Sequence, residues 1–157
     1  MDLCTADSVI LHCSDSVHGC QRVFDDWHRQ RGWDGCGYHF IAGNGFPWMR
    51  DHNVTLEPLE TLIGQIECGR KVFPGIGQVE VGAHCHGLNR RSIGVCLVGR
   101  GQYSPAQKAS AIQLIQELML DFHIPVAGVL GHYETDSGRR KGKTCPNIEM
   151  DHFRAWL

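Results

Sequence analysis

The chain has 157 residues, 42% of them hydrophobic and 20% charged, with a formal net charge of −2. That fits a single domain over residues 1–157 with enough apolar residues for a core, and it excludes collagen-like, low-complexity and disordered classes. The near-neutral charge gives no global reason to expect nucleic acid as a partner. No apolar run approaches the ~20 residues needed to span a bilayer, so no membrane insertion is expected.

The first residues, MDLCTADSVILHCSDS, lack a basic start and a long apolar core. No secretory signal peptide is therefore expected, and synthesis in the cytoplasm is. SVILHCS (Ser8–Ser14) reads as a buried strand ending in polar turn residues. VFDDWHRQRGW (Val23–Trp33) reads as a helix with Val23, Phe24 and Trp27 on one face and Gly32 as its stop. GYHFIAG (Gly37–Gly43) is a second strand, rich in aromatic and β-branched residues.

The stretch 46–64 mixes turn and apolar residues without a period and is read as a loop insertion. QIECGR (Gln65–Arg70) returns as a strand, and residues 71–91 read as loop. Gly75 and Gly77 form a GxG fragment there without the strand–turn–helix setting of a dinucleotide site. SIGVCLVG (Ser92–Gly99) has the near-continuous apolar character of a central strand covered on both faces.

Ser104–Phe122 is the clearest helix: Ser104 as N-cap, Pro105 in the first turn, and a stripe of Ile112, Ile115, Leu118, Met119 and Phe122. Val126–His132 reads as another strand. NIEMDHFRAWL closes the chain as a short helix capped by Asn147, with Met150, Phe153, Trp156 and Leu157 inward. The alternation of strands and helices predicts an α/β fold with a central mixed sheet flanked by helices and a ligand cleft at the strand ends.

Eight cysteines and ten histidines stand out. Without a signal peptide, an even cysteine count is weak support for disulfides. Cys68 and Cys96 lie in apolar runs and read as small buried residues. No CxxC pair occurs, which excludes a zinc ribbon or thioredoxin motif. Two strands end in histidine, at His12 and His132, and Cys145 follows after a short basic loop. Two imidazoles and a thiolate would make a three-ligand zinc site with one open position, the mark of a catalytic rather than structural zinc. On spacing alone, a strand-end histidine is more often a hydrogen-bonded structural residue.

VILHCS, WHRQRGWDGCGYHFIAGNG, GAHCHGLNRRSIGVCLVG and KGKTCP, in this order, resemble the zinc-dependent N-acetylmuramoyl-L-alanine amidases of type 2. That family includes the amidase-type phage lysozymes and shares its fold with peptidoglycan recognition proteins. The resemblance implies one zinc per chain on His12, His132 and Cys145, catalytic roles for Tyr38 and Lys143, and a substrate cleft bordered by His84 and Asn89. It implies hydrolysis of the amide joining N-acetylmuramic acid to L-alanine in peptidoglycan or muropeptides, by an endolysin-type enzyme that reaches the cell wall through release or another export system; a monomer is the default expectation for an enzyme of this size acting on a polymer. A recognition module that binds without cutting, and a cytoplasmic muropeptide-recycling amidase, are the competing readings. All three metal ligands, Tyr38 and Lys143 are present, which favours the enzyme.

A second metal site at His84, Cys85 and His86 is disfavoured, because residues two apart on a strand share a face that Cys85 leaves. His39 points away from Tyr38 on its strand and reads as buried. His18, His28, His52, His123 and His152 read as solvated or helix-surface residues. Arg139–Lys143 reads either as a solvated loop or as a lure for stem-peptide carboxylates. The 46–64 stretch is longer than the tight hairpin phage amidases often have there, and the cysteine content has no account in the sequence.

Overall fold

Ser92–Leu97 becomes the middle strand of the principal sheet, and every residue of it is buried. The computed structural model describes residues 1–49 and 57–157. The strands are β1 (Leu3–Cys4), β2 (Ser8–Cys13), β3 (Phe40–Asn44), β4 (Ile63–Cys68), β5 (Val72–Phe73), β6 (Gln78–Glu80), β7 (Ser92–Leu97) and β8 (Val129–Gly131). Among the described residues they are accompanied by the α-helices α1 (Gln21–Gln30), α2 (Pro105–Phe122), α3 (Asp136–Arg140) and α4 (Met150–Arg154). The five-stranded sheet runs β4-β3-β7-β2-β8, parallel except for β4, which is antiparallel to β3. This is the mixed central sheet and single α/β domain expected.

Period-two alternation assigns side chains to two cores. Leu11, Ala42, Val95 and Leu97 face α2, where Ala111, Ile115, Leu118 and Phe122 complete the larger cluster. Ile41, Cys96 and Val98 face the other way and pack against Phe24 of α1. Burying one such aliphatic or aromatic side chain stabilises by about 1.5–3 kcal/mol. Both clusters therefore pin the sheet that positions the site.

α2 starts with a capping box. The Ser104 hydroxyl accepts the Gln107 N–H at 3.1 Å, and Gln107 Oε1 accepts the Ser104 N–H at 3.2 Å. Its buried face includes Gln107, whose Nε2 donates to the Val98 carbonyl at 3.0 Å. Among the described residues no helix is long and apolar enough to cross a membrane.

Several expectations need correction. The stretch read as loop after Arg70 contains β5 and β6, which join β1 in a small antiparallel sheet. Strands this short carry too little pattern for a period to emerge. Residues 126–128 form a 3-10 turn before β8, not strand. Cys68 ends an edge strand and is exposed, while Cys96 is fully buried. Trp156 is 72% exposed rather than inward, and Asn147 adopts a left-handed conformation (φ 60°) two residues before Glu149, the actual cap of α4. Arg139 and Arg140 belong to α3, which the Thr135 side chain caps. Residues 50–56 of the expected insertion, His52 among them, lie outside the described residues.

Candidate active site

β2 and β8 are parallel neighbours, so both bring their C-terminal ends to one edge of the sheet. His12 is the fifth of the six β2 residues and sits beside Cys96 of β7. His132 follows β8 directly. Alternation turns Leu11 toward the α2 core and His12 toward the opposite face, where its ring lies 5.3 Å from Tyr38 and 4.6 Å from His132.

The chain returns to this edge at Cys145. The Cys13 N–H donates to Cys145 Sγ at 3.0 Å, and the Tyr133 N–H donates to the Cys145 carbonyl at 2.9 Å. Two further bonds hold the loop just beyond: the Tyr103 hydroxyl to the Pro146 carbonyl at 2.8 Å and Asn147 Nδ2 to the Arg100 carbonyl at 3.1 Å. On the other side, the Thr135 hydroxyl donates to the His132 carbonyl at 2.8 Å. Arg154 clamps both oxygens of Glu134 at 2.9 and 3.0 Å, and Glu134 in turn accepts the Gly131 N–H at 2.8 Å.

One donor atom from each of His12, His132 and Cys145 lies within 4.8 Å of the other two. Cys145 Sγ is 3.9 Å from His12 Nδ1. Zinc bonds of about 2.0 Å to nitrogen and 2.3 Å to sulfur place tetrahedral ligand atoms roughly 3.5 Å apart, so a small contraction of this cluster suffices. The protonation states also suit a dication. Burial, with His84 and His132 nearby, holds the His12 imidazole well below its ordinary range. Burial, then Lys143 and Lys141, lowers that of His132. Both are neutral ligands at neutral pH.

The thiols of Cys13 and Cys145 share a hydrogen bond, which lowers Cys13 to about 7 and raises Cys145. These opposite shifts are two sides of one shared proton: the pair gives up its first proton readily and keeps the second. A cation on the His12 side draws the negative charge onto Cys145.

Tyr38 is flanked by Phe24 and His28, with ring centroids 6.1 and 5.5 Å away. Burial, then the neighbouring thiols Cys96 and Cys145, pushes its phenol well above the ordinary range, so it is an O–H donor at neutral pH. Lys143 is exposed and borders the same cleft, about 770 Å³, as His12, Tyr38, His84, His132 and Cys145. An adjoining arm runs past Asn89, Trp33 and Arg70.

The structure thus brings His12, Tyr38, His84, His132, Lys143 and Cys145 to one cleft and places Asn89 along its adjoining arm. Their attachments differ from expectation in two places. His84 Nδ1 faces His12 Nε2 at 3.1 Å and its Nε2 is buried, so neither ring nitrogen is open to the cleft. Asn89 Oδ1 accepts the N–H groups of His84 and Cys85 at 2.9 and 2.8 Å, which makes it the brace of that turn. His86 is exposed and Cys85 buried, so the HCH run does not converge on a second metal.

His39 is fully buried, as expected, but His18 and His28 are buried too. His18 packs edge-on against Trp27 at 5.4 Å. His28 Nδ1 accepts the Gly37 N–H at 2.9 Å, just ahead of Tyr38. Sequence reading also missed Arg70, which donates to the Cys36 carbonyl at 2.8 Å and to Glu80 at 3.0 Å, and Cys13 as partner of Cys145. Arg70 gives no motif signal. Cys13 had one, since it directly follows His12. All eight cysteines are free thiols.

The chain is 30% identical over 160 residues to the endolysin of Escherichia phage T7, covering 95% of this chain and 85% of that protein. Among solved structures, an N-acetylmuramoyl-L-alanine amidase from Clostridium intestinale superposes with a TM-score of 0.74 at 23% identity, covering 99% of this chain and 89% of that one. Drosophila PGRP-LB gives 0.63 at 24% identity, covering 97% and 81%. These two likenesses concern the fold. The family model for N-acetylmuramoyl-L-alanine amidase matches residues 4–148, nearly the whole length, and the chain belongs to that family.

Proposed function

We propose that this amidase is a zinc enzyme of the cell-wall lytic, endolysin type, with His12, His132 and Cys145 holding the metal and Tyr38 and Lys143 completing the catalytic group. The observation that carries this reading is the convergence of two neutral imidazoles and a thiol beside a protonated phenol and a lysine in one cleft. A bound zinc supplies Lewis acidity, acidifying water and polarising a carbonyl.

The chain's own residues do the rest. The substrate is the amide between the lactyl group of N-acetylmuramic acid and L-alanine. Water adds to its carbonyl carbon, the C–N bond breaks, and a carboxylate and a free alanine amine leave. Lys143 meets the negative charge that develops on the carbonyl oxygen, a contribution of about 3–4 kcal/mol by analogy with other oxyanion donors. Tyr38, held as a phenol, donates a hydrogen bond to the reacting oxygens. Asn89 and His84 form the wall along which the glycopeptide lies, with Asn89 Nδ2 as the group offered to it. The lysines and arginines of residues 139–143 attract the acidic stem peptide.

Mass spectrometry of digested sacculi and of soluble muropeptides tests this. Stem peptides with a free L-alanine amino terminus are expected from both. Release from muropeptides alone would point to a recycling enzyme, and release from neither, with zinc bound, to a recognition module.

A further inference from the structure

His84 occupies the site without a nitrogen to offer the substrate, and its surroundings indicate another task. His12 turns Nδ1 toward Cys145 Sγ at 3.9 Å and Nε2 toward His84 Nδ1 at 3.1 Å. A metal taken at Nδ1 leaves the proton of the neutral His12 ring on Nε2. The contact with His84 then has one possible direction: His12 donates and His84 Nδ1 accepts. The reverse assignment, with His84 donating, would put the His12 proton on the metal-facing nitrogen.

The ring of His84 is built in tightly. A Cβ on Gly94 would lie 2.6 Å from its Cγ, and a Cβ on Gly82 would lie 2.6 Å from its Cδ2, so both strand-side neighbours are glycines for lack of space. Its own backbone N–H is tied to Asn89. Behind it His39 stands edge-on, with ring centroids 5.6 Å apart. That ring is pinned at both nitrogens, accepting the Gly94 N–H at 2.9 Å and facing the Glu80 carbonyl at 2.8 Å. Three imidazoles thus run inward from the metal edge.

His84 Nε2 is buried with no partner in hydrogen-bond geometry among the described residues. A chain that needed only bulk here would place an apolar residue and avoid stranding that nitrogen.

We propose that His84 is a positioning residue whose Nδ1 accepts the Nε2–H of His12, fixing the tautomer and ring orientation in which His12 presents Nδ1 to the metal. The inference rests on the zinc reading above. Metal-bound histidines ordinarily donate to a carboxylate or carbonyl. An uncharged imidazole orients the ring without adding negative charge to a centre that already holds one thiolate, and so leaves its Lewis acidity intact.

Zinc affinity, measured by chelator competition on the full chain, tests this together with nitrogen-15 NMR of the histidine rings. His84→Leu, which removes the acceptor at similar bulk, should lose about 10–100-fold in zinc affinity. His84→Asn, whose Oδ1 falls near the position of Nδ1, should recover most of it. In the zinc form of the unmodified protein, His84 should carry its proton on Nε2 and show a bare, hydrogen-bonded Nδ1. Wild-type zinc affinity in His84→Leu, or a protonated Nδ1 in the zinc form, overturns the proposal. Should the leucine variant fail to fold, the asparagine variant and the NMR assignment still decide. Absence of zinc binding by the unmodified chain would overturn the zinc reading and this proposal together, whereas loss of the His84 effect alone leaves the zinc reading standing.

Discussion

The proposed metal corner of the cleft and its proposed catalytic rim differ in how each side chain is held. His12 is 2% exposed near the C-terminal end of β2, His132 is anchored through its carbonyl by Thr135, and Cys145 is fixed by backbone bonds on both sides. Lys143 sits two residues from Cys145 yet is exposed, held through its backbone N–H, which donates to the Gly138 carbonyl at 2.9 Å. Tyr38 lies between these extremes, its ring packed against Phe24 and His28 at the wall of the cleft. On the proposed reading, the difference teaches that this fold pre-organises the three candidate ligands, while the proposed oxyanion partner is delivered by an exposed loop. Metal capture and turnover should therefore separate under mutation.

The sharpest break is at the ligands. Cys145→Ser or His132→Ala should remove zinc and lower turnover by about 10³-fold or more, the loss of roughly 4 kcal/mol of transition-state stabilisation. Elemental analysis beside the rate checks this, and full zinc with full activity would refute the ligand set. Lys143→Ala should lower kcat by about 10²–10³-fold with zinc stoichiometry and Tm unchanged, because the side chain is exposed. A parallel fall in metal content would mean that rim and corner are not separable.

Tyr38→Phe keeps the ring against His12, Phe24 and His28 and removes only the hydroxyl. About a 10²-fold loss in kcat is expected, with metal retained. An unchanged rate would restrict Tyr38 to packing.

The smallest effect concerns stability. Burial depresses the imidazole of His39 to about 4, below its ordinary 6.5. The unfolded chain therefore binds this proton first as pH falls, and the folded protein loses stability between about pH 6.5 and 4. Fully buried as it is, His39 accounts for up to about 3 kcal/mol of that loss. Urea unfolding of the metal-free protein at pH 7 and at pH 4.5 should show a smaller gap for His39→Gln than for the unmodified chain. An equal gap would assign the acid sensitivity elsewhere.

How much of this was legible in the sequence follows from the length of the pattern each element carries. β7 and α2 have long, consistent signals, an unbroken apolar run and a capped amphipathic stripe, and both formed as expected. β5 and β6, of two and three residues, are too short to show a period and were read as loop. Cys68 shows the limit of composition: its run looks apolar, but it ends an edge strand, so its side chain is exposed.

At the site, strand ends and a short loop made His12, His132 and Cys145 a possible three-ligand set, but spacing alone favoured structural histidines and the resemblance assigned the ligands. Tyr38 and Lys143 came from resemblance alone. The pairing of His12 with His84 spans 72 residues and depends on Gly82 and Gly94 opening a slot for the ring. No local periodicity encodes such a contact. The same holds for Cys13 and Cys145, which are brought together from 132 residues apart.

The measurement that tests the central claim most directly is a zinc titration into the metal-free protein, with release of L-alanine-terminated stem peptides followed by mass spectrometry. The account predicts that the rate rises in proportion to bound zinc and saturates at one ion per chain, and that Cys145→Ser shows neither binding nor release. Undiminished cleavage by the metal-free chain, or saturating zinc without cleavage, would contradict it.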